Sequence, residues 1–412
     1  MRIGLRHPIC LGALFFGLQL ALTLIVSPEK SICNAWLSLA SHWDSEWYAA
    51  IAQHGYVNTN GPEYSGLLTA NVVFFPGYPY LARGLVLWFG IKPAIALLMV
   101  SQTATFLFWC VLFYILRSSG RSVLAALLIA VFPTSWFLLM GYSESVFLLC
   151  CCAMLGLATK QHWSVSWLSG IGMTATRLIG LPVLAAPLLS QMILNYRSAK
   201  PWRGLVQQTF RPIIMIPIGA LGCVGFLGYC ATHLGSWHLY FDMERIHWKG
   251  TSDPGFLFKL PTWVPPPWGY HLDLAPPLPN RWTNVFSGDM FRVAAYTFSE
   301  MLVPMFIWIS LFFGVRLWKH RQKIDQDSLT WYIAAVLMLL FSCFSLSTRY
   351  YESMSRCLFP VWVLLIVSDA LNLNDSFFFS KKTSFITTMV ILISSGFWLQ
   401  MLNRFLLGWW VA

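Results

Sequence analysis

Nearly uncharged runs of about the ~20 residues that carry a helix across the hydrocarbon core of a bilayer recur along this chain. They lie near 9–26, 93–116, 122–140, 143–159, 211–231, 294–315, 329–347, 354–372 and 383–403. Lipid offers the backbone no hydrogen-bond partner, so a spanning segment must satisfy its own N–H and C=O groups as a helix. The stretch 164–196 is long enough for two short helices split around Arg177 to Pro182. The expectation is an all-α polytopic membrane protein with about eleven membrane helices. Composition agrees: 57% of residues are hydrophobic and 10% charged, against about 25% charged in soluble domains. Water-soluble cores for so much Leu, Phe and Trp would leave too few polar residues for their surfaces. The ten cysteines suggest no disulfide framework, because all but Cys33 sit in or beside apolar runs. The first run lacks a small-residue cleavage site and is read as a membrane helix, not a cleaved signal.

A net charge of +11 invites a nucleic-acid reading, and the placement of the charges decides against it. With the N-terminus taken as cytoplasmic, Arg2, Arg6, Arg117, Arg121, Lys160, Arg197, Lys200, Arg203, Arg211, Arg316, Lys319, Arg321, Lys323, Lys381 and Lys382 fall inside. Only Asp325, Asp327, Asp369 and Asp375 accompany them there. Lys and Arg accumulate in cytoplasmic loops, and the whole positive excess sits on that side. The basic balance is therefore topology, and no nucleic-acid partner is expected. Were residues 74–91 to cross the membrane, Arg117 and Arg121 would fall outside, so that segment is expected on the outer surface. Two large loops, 27–92 and 232–293, then face the exterior or lumen of a single transmembrane domain, 1–412. Chemistry is expected there.

The second loop concentrates Pro261, Pro265, Pro266, Pro267, Pro276, Pro277 and Pro279 among Trp263, Trp268, Tyr270 and Trp282. Stiff backbone with flat side chains suits a lid or a carbohydrate-stacking surface; the alternative is an aromatic belt resting on headgroups. In the first loop a helix is expected from 41 to 54. Trp43, Trp47 and Ala50 share one face, with Asp44, Tyr48 and Ile51 beside them at helical spacing. Such an amphipathic helix lies on the membrane surface and brings Asp44 close to the headgroup plane, either as a solvated polar-face residue or as a working carboxylate. The flanking tryptophans and the turn Phe74-Phe75-Pro76-Gly77-Tyr78-Pro79 argue for a specifically packed loop. His42, Asp44 and Glu46 are a poor metal set, because alternate helical positions diverge by about 200°.

Three other charged positions stand out. Glu144 falls in a very short exterior turn between apolar helices, where charge is costly and marks function; the plainer reading is a helix cap at the membrane edge. Arg177 falls at the break between two short helices, where non-helical backbone at membrane depth lines protein or a wet cavity. It either meets substrate or pairs with Glu144 or a carbonyl. Arg349 and Arg356 flank a short exterior turn and either bind phosphate or, like Glu352, snorkel to the interface. A transporter, flippase or polysaccharide polymerase-like protein is the alternative class. A transporter would show an inverted repeat and midplane charges, and neither is apparent.

Several motifs occur in a fixed order: Trp43-Asp44-x-x-Trp47-Tyr48 with Ile51-Ala52 and Gly55-Tyr56; Phe74-Phe75-Pro76-x-Tyr78-Pro79; Tyr142-Ser143-Glu144-Ser145-x-Phe147-Leu148; Thr176-Arg177-x-x-Gly180; Trp237 to Trp248; and Arg349-Tyr350 through Arg356 and Phe359-Pro360. The ordered set resembles the PIG-V family of second GPI mannosyltransferases, a branch of the GT-C class of integral-membrane glycosyltransferases. The resemblance implies a GT-C-type fold whose large first exterior loop carries surface helices. It implies transfer of a sugar, mannose in that family, from a polyprenyl-phosphate donor to a lipid-linked or glycan acceptor, with inversion at the anomeric carbon. Asp44 would then take the acceptor's proton, as a carboxylate about 2.6–3.2 Å from the hydroxyl does, and Glu144 would hold the acceptor or orient Asp44. The leaving phosphate is already a stable anion, so cations are needed and an acid is not. Arg177, Arg245, Arg349 and Arg356 are the candidates, because guanidinium binds phosphate oxygens bidentately. Trp43, Glu46, Trp47, Tyr48, Trp237 and Trp248 are the expected substrate contacts. Arg245 departs from the family pattern, which more often has Gln before the downstream Trp. No cofactor is called for, with a divalent cation left open. The implied partners are donor, acceptor and membrane lipids, and no protein partner is implied. A eukaryotic chain would sit in the ER membrane; the compact chain fits a prokaryotic homologue in the inner membrane as well.

Overall fold

Apolar runs that must satisfy their own backbone in lipid become helices, and among the described residues all repetitive structure is helical. The computed structural model describes residues 7–56, 68–197, 202–246, 255–258, 290–319, 325–345, 354–372 and 376–407. In chain order the helices are α1 (Pro8–Val26), α2 (Ile32–Ser38), α3 (Asp44–His54), α4 (Gly77–Phe89), α5 (Pro93–Leu116), α6 (Ser122–Ala130), α7 (Glu144–Thr159), α8 (Trp163–Thr176), α9 (Ala186–Arg197), α10 (Trp202–His233), α11 (Leu239–Ile246), α12 (Met290–Lys319), α13 (Gln326–Ser345), α14 (Met354–Leu371) and α15 (Ser384–Leu406). Among the described residues seven helical stretches are long and apolar enough to cross a membrane: Pro8–Val26, Pro93–Leu116, Leu178–Arg197, Gln208–His233, Met301–Lys319, Gln326–Ser345 and Ser384–Leu406. The chain is thus an all-helical, multi-pass integral membrane protein.

Two of the apolar runs take a shape that length alone does not convey. The run 122–140 is broken: α6 ends at Ala130, and a 3-10 turn, Ser135–Leu139, follows Pro133 and lies wholly buried. Proline removes a backbone donor and disfavours helical geometry in the residue before it, so this run folds back into the bundle. The region 164–196 divides where expected, α8 stopping at Thr176 and two 3-10 turns, Leu178–Gly180 and Pro182–Ala185, leading into α9. The segment 74–91 becomes α4, whose 13 residues reach about 20 Å, short of a ~30 Å hydrocarbon core.

Packing sets the two ends of the bundle apart. Where lipid replaces water, helices associate through close backbone approach at small residues; a Cβ on Gly222 of α10 would collide with the Ile171 carbonyl oxygen of α8. At one end, Arg117 and Lys160, which follow α5 and α7, stand 4.4 and 3.8 Å from the Tyr114 ring centroid. Arg121 donates to the Asn372 carbonyl at 2.8 Å just past α14, and the Asp369 carboxylate accepts from the Phe377 and Phe378 amides. The starts of α7 and α14 and the end of α8 gather at the opposite end.

Candidate functional site

The site is assembled around α3. Asp44 and Glu46 in its first turn are where negative charge is favoured by the helix dipole, and Gly55, at φ 76°, ends it. Ser45 holds the entry turn, accepting from the His42 amide at 2.9 Å and donating to the His42 carbonyl at 2.6 Å. Trp43 takes φ 53°, a conformation that costs a residue bearing a Cβ about 1–3 kcal/mol. Asp44, Ser45, Tyr48, Ile51 and Ala52 are buried, so this helix is seated in the protein and not merely laid on it.

The aromatic turn after the loop explains that seating. Tyr48 meets Phe74 and Tyr78 edge-on, each at 5.0 Å, and Trp47 stacks on Phe74 at 6.1 Å. Arg83 of α4 donates to the Gln53 and Ala52 carbonyls at 2.8 and 3.2 Å, satisfying the last turn of α3. On its other side, α3 is tied to the turn before α7. The Tyr48 hydroxyl donates to Ser143 Oγ at 2.9 Å, and the Tyr142 hydroxyl donates to the His42 carbonyl at 3.0 Å. Gly141 permits the approach: a Cβ there would lie 2.9 Å from Ala40 Cβ and 3.3 Å from Ser45 Cβ.

Four charged side chains converge in that seat. Asp44 Oδ2 lies 2.7 Å from Arg356 Nη1; Arg356 Nε lies 2.9 Å from Glu144 Oε1, close enough for ion pairing though not aligned as a hydrogen bond. Glu144 Oε1 also accepts from Arg177 Nη1 at 2.9 Å. The row Asp44, Arg356, Glu144, Arg177 alternates in sign and balances. Its members are nearly closed off: the Glu144 side chain is 1% exposed, those of Arg356 and Asp44 10% and 12%, and that of Arg177 17%. The Arg356 guanidinium stands over the Phe137 and Tyr142 rings, 5.4 and 5.3 Å from their centroids. Glu144 Oε2 is buried without a hydrogen-bond partner among the described residues. Buried charges are tolerated when paired in this way, and removing one partner leaves another stranded.

The structure therefore brings together Asp44, Glu144, Arg177 and Arg356 from the expected residues, with Tyr48 beside them. Trp43 is 46% exposed, and Trp47 is half-buried against Phe74. Glu46 is exposed on the outer side of α3. Arg245 and Trp237 on or near α11 point outward; Arg245 is 3.7 Å from Asp242 with its side chain 70% exposed, and Trp237 is 60% exposed. Neither joins the charged row. Arg349 and Trp248 lie outside the described residues, as does the proline-rich stretch 261–282. Among the described residues no group of three or more His, Cys, Asp or Glu forms a metal cluster.

Sequence reasoning overlooked Glu244, on α11. Burial raises its carboxyl to about 7, a hydrogen bond from Tyr240 works against that rise, and the charge of Asp44 adds to it. The signal available was the Tyr240–Glu244 pair, one helical turn apart on an amphipathic segment.

The fold and this row together define a multi-pass membrane protein with buried, alternating acidic and basic side chains at the end away from its basic loops. The chain is a member of the Mannosyltransferase (PIG-V) family, which it matches over residues 19–229, a stretch holding Asp44, Glu144 and Arg177. It is similar to human GPI alpha-1,6-mannosyltransferase 2, with 34% identity over 129 residues, 28% of this chain and 24% of the human protein. To the mouse protein of the same name it is 27% identical over 189 residues, 40% of this chain and 35% of the mouse protein. The matched stretch thus spans only about a quarter to a third of the length of these relatives.

Proposed function

We propose that this protein is a GT-C-type mannosyltransferase that moves a mannosyl group from a polyprenyl-phosphate donor to a lipid-linked or glycan acceptor at the exterior or lumenal face, with inversion. The observation that carries the reading is the buried row of Asp44, Arg356, Glu144 and Arg177. Two guanidiniums supply the charge that a leaving phosphate needs, and carboxylates stand among them to receive a proton.

The chemistry follows from that order. In the structure Asp44 is held by Arg356. A donor phosphate drawn to Arg356 and Arg177 competes with the carboxylates for the same N–H groups, and Asp44 is released to face the acceptor. The acceptor O–H bond then breaks toward Asp44 as its oxygen bonds the anomeric carbon from the face opposite the phosphate. The bond from that carbon to the phosphate oxygen breaks with its electron pair going to the phosphate, which needs no proton. Glu144 Oε2, with no partner among the described residues, is placed to accept from a substrate hydroxyl. Trp43 at the rim offers a flat face to a sugar ring. With the arginines meeting the phosphate, no metal is needed in this reading.

The test uses purified protein in proteoliposomes with radiolabelled polyprenyl-phosphate mannose and a membrane lipid extract as acceptor. Label entering the extract, with an α-linkage from a β-donor and a rate insensitive to EDTA, is the expected result. No transfer would overturn the reading, and transfer abolished by EDTA and restored by a divalent cation would overturn its metal-free form. The compartment, an inner membrane or the ER membrane, is answered by fractionating cells that express the chain.

A further inference from the structure

At the basic end of the bundle two arginines are tied to the protein. Arg121 donates to the Asn372 carbonyl at 2.8 Å, and Arg316 donates to the Ser376 carbonyl at 3.4 Å and stands over the Phe312 and Phe377 rings. Arg117 and Lys160 are placed differently. They follow two separate helices, α5 and α7, and meet on one ring, the Arg117 guanidinium 4.4 Å and the Lys160 ammonium 3.8 Å from the Tyr114 centroid. Among the described residues neither forms an ion pair, and the Tyr114 hydroxyl makes no hydrogen bond. Asp327, at the start of α13, feels the charge of Lys160, but it is bonded to Thr159 and forms no ion pair with the lysine. Two like charges gathered on one ring repel each other, so an anion shared between them is favoured.

Helical spacing shows what runs away from this ring along the membrane. On α5, Phe106 and Cys110 face α1: the Phe106 ring stands 6.2 Å from that of Phe16, and a Cβ on Gly12 would lie 2.6 Å from Cys110 Sγ. Ile115 faces α7, its Cδ1 2.8 Å from where a Cβ on Gly156 would sit. At 3.6 residues per turn, Leu107 and Tyr114 lie about 80–100° from both Phe106 and Ile115, in the interval between the two neighbours. Each is 42% exposed, and Val111 on the same stripe is half-buried. α5 thus floors an apolar furrow between α1 and α7 that ends at Tyr114, Arg117 and Lys160.

Lipid chains cover any such furrow in a membrane; what is particular here is the headgroup end. A phosphodiester is satisfied by a guanidinium fork, an ammonium and a hydroxyl, and basic pockets between helices bind acidic headgroups. A zwitterionic headgroup brings its own cation, which the two fixed positive charges repel. We propose that the furrow is a binding site for an anionic phospholipid of the leaflet at the basic end. Its phosphate is held by Arg117, Lys160 and the Tyr114 hydroxyl, and an acyl chain lies along Val111 and Leu107. Such a lipid ties the end of α5 to the end of α7, the helix that begins at Glu144. The site is independent of the transfer reaction, because the charged row lies at the opposite end of the bundle.

Native mass spectrometry of the delipidated full chain, titrated with dioleoylphosphatidylglycerol and with dioleoylphosphatidylcholine, tests the site. One phosphatidylglycerol should bind at least about tenfold more tightly than phosphatidylcholine. Arg117→Gln and Lys160→Gln should each weaken it about tenfold, the scale of one charged hydrogen bond. Lys382→Gln removes the same charge from another exposed position at the basic end and should leave affinity within about twofold. Leu107→Trp, which fills the furrow from an exposed position, should weaken phosphatidylglycerol binding as well. Equal losses in all three charge variants would mean a diffuse basic surface and overturn the site. Equal binding of the two lipids, or phosphatidylglycerol binding unmoved by Leu107→Trp, also overturns it. Displacement of the lipid by millimolar inorganic phosphate would reveal a site for free anions and overturn the lipid assignment.

Discussion

Arg356 Nη1 lies 2.7 Å from Asp44 Oδ2, across 312 positions of sequence. The carboxylate at the start of α3 and the guanidinium at the start of α14 are thus partners whose pairing exists only when the bundle is closed. Both are largely buried, so losing either one strands the other, at a cost of about 3–5 kcal/mol for such pairs. On the proposed mannosyl-transfer reading this contact is a gate, since a donor phosphate that draws Arg356 away frees Asp44.

Replacing Asp44 with Asn keeps its size and one hydrogen bond to Arg356 while removing the proton acceptor. Turnover should fall by about the 10²–10⁴-fold that general-base catalysis supplies, with donor affinity retained. Glu46→Gln, on the exposed side of the same helix, should change turnover less than about threefold, since surface substitutions are usually worth under ~0.5 kcal/mol. Donor binding and turnover measured side by side check this; near-normal transfer by Asp44→Asn would remove Asp44 as the base.

Arg356→Lys and Arg177→Lys keep the charge but not the fork. Arg356 reaches Asp44 through Nη1 and Glu144 through Nε, and one ammonium cannot hold both in the same geometry. Donor KM should rise about 10–100-fold, the equivalent of one charged hydrogen bond, with the folded fraction preserved. Unchanged donor kinetics in both variants, at normal protein levels, would return these arginines to structural roles.

Gly141→Ala tests the docking of the α7 entry turn on α3. The new methyl would lie 2.9 Å from Ala40 Cβ, so the two segments must part. Overpacking of this kind costs about 1–3 kcal/mol, and a shift near 1 Å in a reacting group costs up to about 10²-fold in rate. A thermal unfolding curve beside the transfer rate should show both losses. Wild-type values for stability and rate would show that the turn has slack.

Topology is open to a native probe. Cys33, just after α1, is exposed, and the other nine cysteines are buried or half-buried. A membrane-impermeant maleimide added to intact cells should label Cys33 and miss a cysteine introduced at Ser119, beyond the basic end of α5. Labelling at 119 from outside would invert the assignment of the two faces.

What the sequence determined by itself is whatever rests on local order. The apolar runs had to be helices because lipid leaves the backbone no other partner. Proline placed the break near Arg177 to Pro182, whereas 122–140 reads as one span and only the structure shows it broken at Pro133. Asp44 stood out because Trp43, Trp47 and Tyr48 flank it at helical spacing. Tertiary structure alone decided which charges meet. The Arg177–Glu144 pair was one of two readings open in the sequence, but nothing local matched Arg356 with Asp44 until the folded bundle brought them together, while Arg245 stayed at the surface. Glu244 looked like one more acid on a polar helix until α11 packed against the turn Leu68–Val73 and buried it. Periodicity tells which residues share a face. Which faces then meet depends on how separate helices pack, and a buried ion pair joins residues hundreds of positions apart without any local trace of the match.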